Sequence, residues 1–104
     1  MPIQMFRQGD VLIVSTELPE GPSATIPREN GKIVLAHGEV TGHAHAIAEP
    51  TASFALFGND RILISAVPMI IEHEEHAPIN LPAGAYKVIQ QREYAPDRIR
   101  SIAD

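Results

Sequence analysis

Cysteine is absent from the 104 residues, which excludes disulfide frameworks, thiolate zinc sites, iron–sulfur clusters and cysteine nucleophiles. Aromatic residues make up only 5%, too few for a surface on which single-stranded nucleic acid would stack. Cations are also scarce: 8 Lys and Arg stand against 13 Asp and Glu, a net charge of −5. Duplex-binding modules gain affinity by neutralising phosphates, so this balance argues against a nucleic-acid partner. No apolar run approaches the roughly 20 residues that cross a bilayer. Val11-Leu12-Ile13-Val14 is typical of the longest, and no membrane partner is expected. The opening Met-Pro-Ile-Gln-Met-Phe-Arg has neither the apolar core nor the cleavage site of a secretory leader, which points to the cytoplasm.

What is present is a globular composition, 44% hydrophobic, divided by nine prolines and seven glycines. The length suits one domain, 1–104, with one core. Apolar segments between the punctuating residues run about four to eight residues, a strand length. The sequence predicts strands over 10–15, 32–36, 43–48, 53–57, 61–67, 69–73 and 85–94. A loop over 17–31 ends in the turn signal Asn30-Gly31, and 53–57 and 61–67 form a hairpin across Gly58-Asn59-Asp60. Pro68 suggests a bulge or edge. No stretch of ten residues keeps a 3.6-residue apolar stripe, and the one helix candidate is 96–102, with Pro96 at its first position, a segment whose Ile99-Arg100 alternation reads equally well as a strand end. The expected fold is all-β: a small single-domain antiparallel β-barrel or sandwich of six to eight strands.

All five histidines lie between residues 37 and 76, as His37, His43 and His45, then His73 and His76. Side chains alternate along a strand, so His43 and His45 project from one face about 7 Å apart. Ala44, Ala46 and Ala48 occupy the other face and are small enough to pack on a neighbouring strand. Two imidazoles on one strand face can share a metal, and imidazole suits zinc, copper, iron and nickel. Glu49 can complete the set if the chain turns at Pro50. A barrel can bring residues 30 positions apart onto adjacent strands, so His73 or His76 is expected to join. His37 shares the parity but is separated by a glycine turn. Set against this is the plainer reading, in which the histidines are partly exposed polar positions.

His73-Glu74-Glu75-His76 does not fit the helical metalloprotease motif, which places histidines at i and i+4. Here the spacing is i and i+3, Pro78 and Pro82 follow, and Met69-Ile70-Ile71 is strand-like. In a regular strand these two histidines face opposite sides, so a single one joins a given site unless a bulge intervenes. Glu72, Glu74 and Glu75 read as an acidic rim, one of which can orient an imidazole through its second nitrogen. There is no Gly-x-Ser-x-Gly elbow. Gly38-Glu-Val-Thr-Gly42 has the wrong spacing and no lysine for a phosphate loop.

The stretch His43-Ala-His45-Ala-Ile-Ala-Glu49 resembles the first metal motif of the cupin superfamily: a glycine, a short spacer, His-x-His, three or four residues, Glu, then glycine. Pro82-Ala-Gly84 resembles the turn of the second motif. Gly38 lies one residue closer to His43 than the usual spacer, Gly58 lies two residues too far from Glu49, and Lys87 stands where the family places a third histidine. The resemblance covers about half the chain. It implies an antiparallel barrel holding a divalent metal between His43, His45, Glu49 and a further ligand supplied by His73 or His76. Gly38 to His45 and Gln91-Arg-Glu-Tyr94 also resemble small uncharacterised bacterial or phage-borne proteins.

The expected function is therefore a divalent-metal-binding β-barrel with zinc, iron, nickel or manganese on His43, His45, Glu49, His73 and His76. The resemblance adds a metalloenzyme of open reaction type, acting on a small-molecule ligand. The alternative is a non-catalytic interaction or assembly module with surface or interface histidines. A pH-responsive binding protein is a third reading. A chain of this size is expected to form a homo-oligomer, a dimer foremost.

Overall fold

The computed structural model describes residues 3–38, 40 and 42–91. Among these residues the fold is all-β, and no helix occurs. The strands are β1 (Met5–Gln8), β2 (Val11–Thr16), β3 (Ala24–Thr25), β4 (Ile33–His37), β5 (Ala44–Ile47), β6 (Ser53–Phe57), β7 (Asp60–Ser65), β8 (Met69–Ile71), β9 (Ile79–Leu81) and β10 (Gly84–Gln90). Ten short strands replace the six to eight expected, because β1, β3 and β9, with sequences Met-Phe-Arg-Gln, Ala-Thr and Ile-Asn-Leu, carry no apolar run. The helix candidate over 96–102 and the end of the 85–94 strand lie outside the described residues.

One six-stranded sheet runs β1-β2-β10-β7-β6-β3, and two ribbons, β4-β5 and β8-β9, complete the fold. The pairings between these strands are antiparallel. β1 and β3 remain edges, so the large sheet does not close on itself. The ribbons are joined by an isolated bridge, with Ala46 and Glu72 exchanging both backbone hydrogen bonds at 3.0 and 2.9 Å.

Alternation decides what enters the core. Val11 and Ile13 of β2, Leu63 of β7, Tyr86 and Val88 of β10 and Phe54 of β6 point inward from the large sheet. They meet Leu35 and Ile47 from one ribbon and Met69, Ile71 and Leu81 from the other. Leu12, Val14, Ile64 and Ile89 have the opposite parity and are half-buried on the outer face. Arg61 ties the two layers, its guanidinium donating to the Leu35 carbonyl at 2.6 Å.

Turn chemistry fixes the registers. Asn30 and Gly31 both have positive φ, 52° and 79°, the backbone of a type I′ turn, and Glu29 pairs with Lys32 across it. The β6–β7 turn is two residues, Gly58-Asn59, since Phe57 pairs with Asp60. Asp60 thus belongs to the strand rather than to the turn. β7 ends at Ser65, before the expected 67, because the Ser65 hydroxyl bonds both the amide and the carbonyl of Val67 and turns the chain. A third tight turn, Gly9-Asp10, joins β1 to β2, with Gln8 opposite Val11. That turn lies at the histidines.

Candidate functional site

The site is built on β5. His45 and Ile47 face inward, and His45 is 2% exposed. A bulge makes room for the ring: register shifts between Val34 and Ala36, so Leu35 is the extra residue and small Ala36 stands opposite His45. Glu72 pairs with Ala46, which launches the segment carrying His73 and His76 beside β5. β8 stops at Ile71, short of the expected 73. Residues 73–78 are therefore loop, strand parity does not govern them, and both histidines turn to the same side.

Four imidazoles gather there. The His45 ring centre lies 4.3 Å from that of His73 and 5.8 Å from that of His76. His73 and His76 are 4.6 Å apart, and His43 is 6.0 Å from His73. The packing leaves little room beside two glycines. A Cβ on Gly9 would sit 2.8 Å from His76 Nε2 and 3.3 Å from His45 Cε1. A Cβ on Gly38 would sit 3.1 Å from His73 Nε2.

Each of three Nδ1 atoms has a neighbour. His45 Nδ1 is 2.8 Å from Gln8 Oε1. His73 Nδ1 accepts the Glu75 amide at 2.9 Å. Glu75 Oε2 lies 2.9 Å from His43 Nδ1, yet off the alignment of a hydrogen bond, so this buried nitrogen has no hydrogen-bond partner. On the Nε2 side, His45 faces Asp10 Oδ1 at 3.7 Å. The other Asp10 oxygen accepts from Gln90 Nε2 at 3.2 Å. Burial, reinforced by the proximity of His73, holds the His45 imidazole below its ordinary pKa of 6.5, against the opposing pull of Asp10. Glu74 is held below the usual carboxylate value, first because its carboxylate accepts the Ala44 amide.

Two of the named residues are placed elsewhere. The Glu49 carboxylate folds back onto its own turn and accepts from the Thr51 amide and hydroxyl, at 2.9 and 2.7 Å. These bonds hold its pKa down. His37 is exposed and pairs with Glu29 at 3.2 Å. Sequence reasoning missed Gln8 and Asp10, which flank a glycine in a two-residue turn. The Gln8-Gly9-Asp10 stretch carried the signal of a turn and none of a site.

As placed, no group of three His, Asp or Glu side chains among the described residues stands ready to hold a metal ion. His45 and His76 are nearly parallel, at 17°, so their in-plane lone pairs run side by side rather than converging. A pocket of about 340 Å³ opens next to the cluster, with Ala44 and Ala46 lining it beside Lys32, Glu72, Glu74 and the shared His73.

A family model described as a domain of unknown function (DUF8820) matches residues 7–91. That description names no cupin, and Lys87, where the cupin resemblance would place a third histidine, pairs with Asp60 at 3.3 Å. Searches of curated proteins and of solved structures return no match. The chain belongs to the DUF8820 family, and the matched span contains the whole histidine cluster together with the Gln8-Gly9-Asp10 turn.

Proposed function

We propose that this chain binds a divalent transition metal at the cluster of His43, His45, His73 and His76, with Asp10 at its edge. The observation that carries the reading is the gathering of four imidazoles, from two segments some 30 residues apart, with centres 4.3–6.0 Å from a neighbour. Two imidazoles on one tetrahedral zinc, with Zn–N near 2.1 Å, hold their ring centres about 5 Å apart. The spacing suits a shared ion, and what is needed is rotation of the rings. His76, exposed on a loop, is free to turn, and His73 turns by releasing the Glu75 amide, whereas His45 is held by Gln8. Burial also disfavours the charged form of His45, and the neutral form is the one that coordinates. Imidazole donors suit zinc, iron and nickel better than magnesium or calcium. Glu49 is left out of the ligand set because its carboxylate is already held by Thr51.

The adjoining pocket, which shares His73, gives a small molecule room beside the ion, and the reaction class stays open. The alternative of an assembly module draws on the half-buried outer row of Leu12, Val14, Ile64 and Ile89. A concentration series in light scattering tests it.

The metal reading is tested by thermal scans of untagged protein with zinc, nickel, manganese and iron(II), each against chelator. A ligand that binds the folded state alone stabilises it by about 2.7 kcal/mol at a hundredfold excess over Kd. The expected result is a raised Tm in wild type and in Glu20→Ala, whose side chain is exposed in the 17–23 loop, and none in the His43→Ala/His45→Ala double variant. An unchanged Tm with every metal overturns the reading. A shift that survives the double replacement shows that the ligands are others.

A further inference from the structure

We infer that Gln8 is the positioning residue of this site: its one amide group selects the His45 tautomer that leaves Nε2 open and clamps the neck of the loop that carries His73 and His76. The inference rests on the metal reading above.

Gln8 is 3% exposed, so its amide has no choice of solvent partners. Its nitrogen donates to the Ile71 carbonyl at 3.1 Å and to the Ala77 carbonyl at 2.9 Å. Rotating the amide would set its oxygen against two carbonyl oxygens, so the orientation is determined by its surroundings. The oxygen therefore accepts, and His45 Nδ1, 2.8 Å away, must donate. A neutral imidazole with its proton on Nδ1 carries a lone pair on Nε2. That lone pair faces Asp10 Oδ1 at 3.7 Å, with the carboxylate itself held by Gln90. A cation between them would offset the opposition of two acceptors. Metal-binding histidines characteristically have their second nitrogen fixed by an outer partner.

The same amide does a second job. Ile71 ends β8 and Ala77 lies just before β9, so the segment between them forms a loop whose two ends are held by one nitrogen. The loop can rotate its imidazoles toward His45 while its neck stays fixed relative to that ring. Gln8 thus registers the loop donors against the strand donor.

The test uses long-range 1H–15N correlation spectra of the histidine side chains, with zinc titration by calorimetry, on wild type, Gln8→Met and Gln8→Glu. The expected wild-type spectrum has the His45 proton on Nδ1. Gln8→Met is expected to lose that fixed tautomer and about 10–100-fold in zinc affinity, with far-UV circular dichroism unchanged. Gln8→Glu retains an acceptor for Nδ1 and is expected to keep the tautomer and bind zinc more tightly than Gln8→Met. A wild-type His45 protonated on Nε2 overturns the inference whatever the variants do. So does wild-type zinc affinity in Gln8→Met. Zinc binding absent from wild type overturns the metal reading instead, and the spectrum separates the two failures.

Discussion

Replacing Gly9 by alanine tests the geometry of the site against a built-in control. Gly9 and Gly58 each occupy the first position of a two-residue hairpin turn, with φ of 60° and 63°. A side chain at either position meets the same backbone strain, about 1–2 kcal/mol for an L residue forced to positive φ. The two differ in surroundings. Nothing lies within 4 Å of a Cβ at Gly58, whereas one at Gly9 meets His76 Nε2 at 2.8 Å and His45 Cε1 at 3.3 Å. The exposed His76 ring swings aside at little cost. The buried His45 ring, tethered to Gln8, cannot, and crowding it adds about 1 kcal/mol, the low end for overpacking. Gly58→Ala should therefore cost about 1–2 kcal/mol and Gly9→Ala about 2–3, by the same reasoning. With no tryptophan in the chain, guanidinium unfolding is best followed by circular dichroism. Displacing His76 should also weaken zinc binding in Gly9→Ala and leave it unchanged in Gly58→Ala. Equal unfolding midpoints together with equal zinc affinities would refute the placement of the β1–β2 turn beneath the imidazoles.

The His45 pKa is lowered in the folded chain, so the unfolded chain takes up the proton more readily. Stability without metal should be full above about pH 6.5 and decline as pH falls below it; guanidinium midpoints at pH 7.5, 6.5 and 5.5 measure this, and His45→Leu should flatten the decline. Glu49 and Glu74, both lowered, add a further loss as pH falls through the carboxylate range. Leu63→Ala empties a fully buried position and should cost about 2–5 kcal/mol. Leu56→Ala, 38% exposed on β6, should change the same midpoint by no more than about 0.5 kcal/mol. Arg28 donates to the carbonyls of Gly31, Glu49, Pro50 and Ala52. Arg28→Ala should cost about 1–3 kcal/mol by removing these charge-assisted bonds, those to Glu49 and Ala52 being partly buried, read as a lower Tm.

The architecture was legible where a local rule has no competitor. Asn30-Gly31 marks a type I′ turn because few other pairs tolerate positive φ twice, and both residues adopt it. The alternation of His45 and Ile47 placed these two side chains on the inner face because β5, Ala44–Ile47, buries every second residue, and His43 stands just before it. What failed was strand length. The apolar run 61–67 is cut at Ser65 by a hydroxyl that bonds Val67, and 69–73 is cut at Ile71, where the chain leaves β9 to bridge Ala46. Both breaks arise from bonds made in the folded chain, to which periodicity is blind.

The site was half legible for a related reason. Histidine is chemically conspicuous, so two clusters could be matched before their approach was known. Gln8 and Asp10 belong to a different category: one is a buried amide whose orientation is set by two carbonyls, from Ile71 and Ala77, and the other a turn carboxylate. Their residue types are ordinary at a hairpin, and nothing local distinguishes them from any turn on the surface. What distinguishes them is the bulge at Leu35 and the Ala46–Glu72 bridge, which together bring β5 and the 73–76 loop up against the β1–β2 turn. A glycine between Gln8 and Asp10 then serves two ends at once: it turns the chain, and it leaves the space into which two imidazoles pack. Gly58 needs only the first of these, so turn chemistry alone does not account for Gly9, and the difference between the two glycines is where the fold and the site meet.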